Sequence, residues 1–209
     1  MARSTNNSHR TRRRWGAALL GAVLALGLGI QPADPAPAQA AFTSPRSVLV
    51  HLFEWKWTDI ALECERWLGP RGYAAVQISP PQEHAVVAGS PWWQRYQPVS
   101  YKIESRGGTR AELADMTRRC GNVGVDVYAD AVINHMTGVG SGTGSAGTRY
   151  SPYTYDGTYQ SWDFHHCGRN GTDDIVNYSD RYEVQNCELV NLADLNTGAT
   201  YVRDRLVGT

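Results

Sequence analysis

The chain has 209 residues, with 20 Lys and Arg balancing 20 Asp and Glu, and 42% of it is hydrophobic. Five Arg and one Asp fall in the first 40 residues, so the remaining 169 carry 15 basic and 19 acidic side chains. No basic run survives past residue 40, which argues against nucleic acid as a partner.

Arg10, Arg12, Arg13 and Arg14 form a basic start, an apolar run follows over residues 15–30, and Ala38-Gln39-Ala40 offers a small-x-small cleavage site. This pattern reads residues 1–40 as a secretory signal peptide and the product as extracellular. Thr11-Arg12-Arg13-Arg14-Trp15 also loosely fits a twin-arginine signal. The apolar run is too short for a comfortable membrane span, so no membrane association is expected.

Residues 47–53 read as a first apolar strand. Thr58 is expected to cap a helix, with Asp59 in its first turn, apolar residues at Ile60, Cys64, Trp67 and Leu68, and a stop at Gly69-Pro70. Residues 73–79 form a second strand ended by Pro80-Pro81, and Thr109-x-x-Glu112 is a capping box for a second helix running to about Cys120. The run from Asp126 to His135 reads as a third strand, buried on both faces, with Asp130, Val132 and Asn134 on one side and His135 at its exit. The order β-α-β-α-β predicts a parallel sheet. Residues 137–148 form a Gly/Ser/Thr loop expected to be mobile, and residues 150–194 a loop-rich excursion without a clear helix. A third helix is expected over 197–207. Three strands leave two edges unpaired, whereas a closed (β/α)8 barrel needs eight, so the chain reads as the front part of a longer protein.

Cys64, Cys120, Cys167 and Cys187 are an even set in a secreted chain and predict two disulfides, with all three pairings open. Zinc, with His165 and His166 beside Cys167, is the competing reading, without paired C-x-x-C spacing to support it. Pro91-Trp92-Trp93-Gln94-Arg95-Tyr96-Gln97-Pro98 places three large aromatics and two amides after the second strand. Trp92, Trp93 and Tyr96 can stack on the C–H faces of sugar rings while Gln97 bonds their hydroxyls; an aromatic core corner is the alternative. Asn134 and Asp194 flank the excursion and supply the oxygen donors that calcium prefers. His51 and His84 can also face a site, and Asn170-Gly171-Thr172 and Asn177-Tyr178-Ser179 match the glycosylation pattern.

The motifs from Val50 to Trp57 and Asp59 to Glu65, then Gln77-Ile78-Ser79-Pro80-Pro81, residues 91–98 and Asp130 to Met136 resemble, in order, the start of animal-type secreted members of the α-amylase family of glycoside hydrolases. The resemblance covers about residues 47–207. It implies an α/β fold: a partial TIM (β/α)8 barrel of three β/α units, beginning over 41–135, with an inserted loop-rich calcium-binding subdomain over 136–194 and a truncated third barrel helix over 195–209. It implies retaining endo-hydrolysis of α-1,4-glucosidic bonds in starch by an enzyme that is monomeric when complete. Trp92, Trp93, Tyr96, Gln97, His135 and Tyr178 match its sugar contacts, and Asp130 its buried supporting acid. Asn134 and Asp194 match its calcium ligands, with the Gln185 carbonyl a third. The resemblance pairs Cys64 with Cys120 and Cys167 with Cys187. No acid in the chain matches the family's nucleophile, its acid/base or its second aspartate, and the arginine of its chloride site is also missing. A non-catalytic starch-binding remnant and a related α-glucan transglycosylase share these early motifs.

Overall fold

The computed structural model describes residues 45–208. The expected signal peptide lies outside the described residues.

The first strand, β1 (Leu49–Leu52), leads through the helix α1 (Trp57–Glu63) and a π-helical turn at Cys64–Leu68 to β2 (Ala75–Ile78). A two-stranded turn, β3 (Glu104–Ser105) and β4 (Gly108–Thr109), precedes the helix α2 (Arg110–Asn122), which feeds β5 (Asp126–Ala129). Strands β1, β2 and β5 pair in that order, all parallel, as the alternation of strands and helices predicts. Side chains alternate across the sheet, so Val50 and Leu52, Val76 and Ile78, and Val127 share one face. They pack there against Trp57, Ile60 and Cys64 of the first helical segment and Met116 and Cys120 of α2. The opposite face is open, with Leu49, Phe53 and Tyr128 exposed.

The third strand departs from expectation. It stops at Ala129 and is mostly exposed rather than buried on both faces. The cause lies in β2, whose last pairing is Ile78 with Ala129, after which Pro80-Pro81 has no N–H to extend the ladder. As an edge strand with one uncovered face, β5 leaves Tyr128 57% exposed.

Thr58 does not cap α1. The helix starts two residues earlier than that cap implies, at Trp57, after a Lys56 cap that makes no side-chain hydrogen bond. The Trp57 N–H donates instead to the Gly107 carbonyl (3.0 Å), and its indole packs where a Cβ on Gly107 would come within 2.8 Å. Tertiary packing thus outweighs the local capping signal. At α2 the capping box forms as predicted: Glu112 N–H donates to Thr109 Oγ1, and Thr109 N–H donates to Glu112 Oε2.

A second core gathers Ala85, Val99, Met136, Tyr150, Tyr155, Tyr159, Phe164, Ala193 and Leu195. The antiparallel strands β6 (Gly142–Thr143), β7 (Arg149–Ser151) and β8 (Thr154–Tyr155) belong to it. The excursion also contains a helix the sequence pattern did not show, α3 (Arg181–Asn186), capped by the Asp180 carboxylate on the Tyr182 N–H. The last helix, α4 (Thr200–Val207), buries Val202 in this second core and not against the sheet.

The Gly/Ser/Thr loop is anchored. The fully buried Glu83 carboxylate accepts from the Ala146 and Thr148 N–H groups (2.9 Å each) and from Ser100 Oγ. Gly144 is required beside it, since a Cβ there would meet Glu83 Oε1 at 2.5 Å. Two disulfides form, Cys64–Cys120 and Cys167–Cys187, leaving no cysteine for zinc among the described residues.

Candidate functional site

After β2 the chain turns through Pro91 into a 3-10 helix, Trp92–Tyr96. That turn sends Gln94 and Arg95 inward and leaves Trp92 and Trp93 exposed by 56% and 40%. The aromatic cluster is therefore a surface feature, not a core corner. Its rings extend beyond the predicted set. His51 meets Phe53 at 5.4 Å, Phe53 meets Trp92 at 5.8 Å, and Trp92 meets Tyr96 at 6.1 Å. Neighbouring planes in this row are tilted by 59° to 79°.

Three other predicted residues converge here. The His135 ring nitrogen Nε2 donates to the Tyr96 carbonyl (3.1 Å), and burial holds its pKa below the usual histidine value, so the ring is neutral. Gln97 Oε1 accepts from Thr137 Oγ1 (2.9 Å) and the Gly138 N–H (2.7 Å), tying the platform to the excursion. Burial first, and then the hydrogen bond to the Asp130 carboxylate, push the Tyr96 hydroxyl up to about 12, so Asp130 supports the ring from behind. Tyr178 is exposed on the excursion, and no hydrogen bond or ring contact joins it to this cluster among the described residues.

Sequence reasoning missed what lies beneath the rings. Arg95 is 1% exposed and donates to Glu54 Oε1 (3.2 Å), the Pro80 carbonyl (2.6 Å) and Ser105 Oγ (3.3 Å). Desolvation lowers its pKa to about 10, which leaves it charged at neutral pH. Arg106 pairs with the other Glu54 oxygen and donates to the Ser90 carbonyl. The only sequence signal was an acid between two aromatics, Phe53-Glu54-Trp55, just past a strand.

Asn134 and Asp194 meet as expected. Asn134 Nδ2 donates to Asp194 Oδ1 (3.2 Å), while His165 Nδ1 donates to Asp194 Oδ2 (2.6 Å). Burial raises the Asp194 pKa, and no Lys or Arg is paired with it among the described residues, an environment that suits an oxygen-seeking cation. Gln185 stands apart: its side chain accepts from Arg181, and no hydrogen bond links it to Asn134 or Asp194. Among the described residues no group of three or more His, Cys, Asp and Glu side chains is placed to hold a metal. Two side-chain donors fall short of the six to eight oxygens that calcium takes.

His84 is structural. Its Nδ1–H donates to the Ala85 carbonyl (2.9 Å), which leaves Nε2 to accept from the Arg106 N–H (3.2 Å). Burial lowers its pKa below 6.5. The neighbouring Glu83 is pushed up by burial, but the Ser100, Thr148 and Ala146 hydrogen bonds outweigh this and hold it below 4.5. Both groups bind protons more tightly in the unfolded chain, so stability must fall with pH, from 6.5 downward for His84 and from 4.5 downward for Glu83. Urea midpoints measured against pH should show both steps. His84→Gln should reduce the upper one, to which the buried His135 also contributes; a flat wild-type profile between about pH 7 and 5 would contradict the assignment.

The chain is 54% identical over 202 residues to an α-amylase of Thermomonospora curvata, covering 93% of this chain and 33% of that protein. It is 52% identical over 170 residues to an α-amylase of Tenebrio molitor, covering 80% and 35% respectively. Among solved structures, α-amylase I of Eisenia fetida, in a complex with maltohexaose, matches with a TM-score of 0.73 and 48% identity over 77% of this chain and 34% of that one. An α-amylase of Geobacillus thermoleovorans at 15% identity shares the fold, with a TM-score of 0.58. No protein-family model matches. The chain thus spans about a third of the length of the relatives it matches.

Proposed function

We propose that this chain, a homologue of the α-amylases over the third of their length that it spans, forms one wall of the α-1,4-glucan cleft of a secreted retaining glycoside hydrolase. The tilted row of exposed rings at the C-terminal ends of the strands carries the proposal. Exposed aromatic faces beside amides suit sugar rings, which offer apolar C–H faces and a rim of hydroxyls. The maltohexaose complex of the Eisenia fetida relative supports the substrate class. The parallel β1-β2-β5 order with helices between the strands supports reading the chain as the start of a (β/α)8 barrel, which presents its chemistry at that end. The excursion is the inserted subdomain, and the two disulfides fit an oxidising, extracellular setting.

In this reading Trp92 and Trp93 stack on sugar C–H faces, Gln97 offers its amide N–H group to hydroxyls, and Asp130 holds Tyr96. His135 gives its Nε2–H to Tyr96, so its Nδ1 remains as an acceptor for a sugar hydroxyl. Tyr178 belongs to the same cleft on the excursion side. Asn134 and Asp194 would hold part of a structural calcium and supply it with carboxylate and amide oxygens, with the Gln185 carbonyl as the further donor that the resemblance implies. Hydrolysis with retention needs two carboxyl groups about 5 Å apart across the bond. The acids at the platform are already engaged, Asp130 with Tyr96 and Glu54 with two arginines. The chain therefore binds and orients glucan without cleaving it.

Purified chain should be retained on insoluble starch while releasing no reducing sugar, and the Trp92→Ala/Trp93→Ala double variant should pass through. Retention unchanged by the double variant would overturn the platform. Starch cleavage by chain free of full-length enzyme would overturn the division of labour.

A further inference from the structure

Two segments carry the tilted rings, and one ion network joins them. Phe53 directly precedes Glu54, and Tyr96 directly follows Arg95. The Glu54–Arg95 pair therefore sets how Phe53 meets Trp92. Glu54 has φ 66°, a left-handed backbone that a non-glycine residue adopts only where its surroundings hold it. Here the Glu54 N–H is held by Ser79 Oγ (2.9 Å) and the carboxylate by Arg95 and Arg106. Arg95 reaches on to Pro80 and Ser105, and Arg106 to Ser90.

The rings restrain one another weakly, because they meet tilted or edge-on, with no stacked face, and Phe53 and Trp92 stand in solvent. What lies under them is a buried ion pair, whose two partners together could be replaced by well-packed apolar side chains with little or no loss of stability. The pair adds direction: Arg95 donates at once to Glu54, Pro80 and Ser105, fixed points that an apolar contact would let slide, and the Arg106 charge holds the second Glu54 oxygen. We propose that Glu54, Arg95 and Arg106 are positioning residues for glucan recognition, holding Phe53, Trp92 and Tyr96 at the tilts that fit the sugar chain. The inference rests on the platform being a glucan site.

The test is a titration of the full 209-residue chain with maltohexaose, followed by tryptophan fluorescence. The Arg106 side chain is 31% exposed, so Arg106→Gln should fold with a urea midpoint close to the wild type. Freeing two ring-bearing segments that binding must then re-order should weaken maltohexaose about tenfold and shift the tryptophan emission. Arg106→Lys, which keeps the charge, should recover most of the affinity. Glu54→Gln should weaken binding at least as much as Arg106→Gln, and if it fails to fold the Arg106 pair decides alone. Wild-type affinity in Arg106→Gln, or equal losses in Arg106→Gln and Arg106→Lys, would overturn the proposal. Absence of maltohexaose binding by the wild type would overturn the platform reading itself, and this inference with it.

Discussion

Glu54→Ala is expected to destabilise the folded chain by about 3–5 kcal/mol, the range for removing one partner of a buried ion pair. The substitution leaves Arg95 with 1% exposure and no counter-charge, still donating to Pro80 and Ser105. It also frees Arg106, which loses its Glu54 carboxylate partner but remains in reach of water. Backbone strain does not enter the difference, because alanine at φ 66° is no better placed than glutamate. Urea denaturation of the two proteins at pH 7 gives the comparison. A loss below about 1 kcal/mol would mean the network behaves as a surface salt bridge and holds little.

The Cys64→Ala/Cys120→Ala variant should lose about 4 kcal/mol, the chain-entropy value for a link between residues 56 apart. Both sulfurs are fully buried in the first core, where they join the π-helical turn after α1 to α2. Beside them Arg119 and Glu65 form a two-pronged ion pair that survives the substitution. That pair is screened by solvent, so it cannot replace the covalent tie. The Cys167–Cys187 link closes a separation of only 20 residues and should contribute about 3 kcal/mol on the same argument. A loss below about 1 kcal/mol for the Cys64–Cys120 variant would show that helix packing alone holds α1 on α2.

Features written in local pattern were legible in the sequence. The Thr109–Glu112 box needs only four residues, and it forms. Alternating apolar segments gave the parallel order of β1, β2 and β5, and the clustered tryptophans marked an exposed platform. Features that depend on distant partners were not legible. Thr58 carries a cap signal, but Gly107, 49 residues on, supplies the carbonyl that starts the helix at Trp57. Glu54 and Arg95 are 41 residues apart, and Glu83 reaches across to Ala146 and Thr148; a lone acid shows no period that would reveal either. The Asp126–His135 run has the composition of a buried strand, yet its length is set by prolines on the neighbouring strand. The meeting of Asn134 with Asp194 was legible because they bracket the excursion, whereas the place of Gln185 depends on a short helix that composition alone does not show.

We propose that this chain forms the glucan-binding wall of an amylase-type cleft. Calorimetric titration of the purified chain with maltohexaose and, in parallel, with cellohexaose tests it most directly. The account predicts saturable binding of maltohexaose with a Kd on the order of 1 mM, as befits one wall of a cleft, and much weaker binding of the β-linked sugar. No binding of maltohexaose, or equal binding of the two, would contradict it.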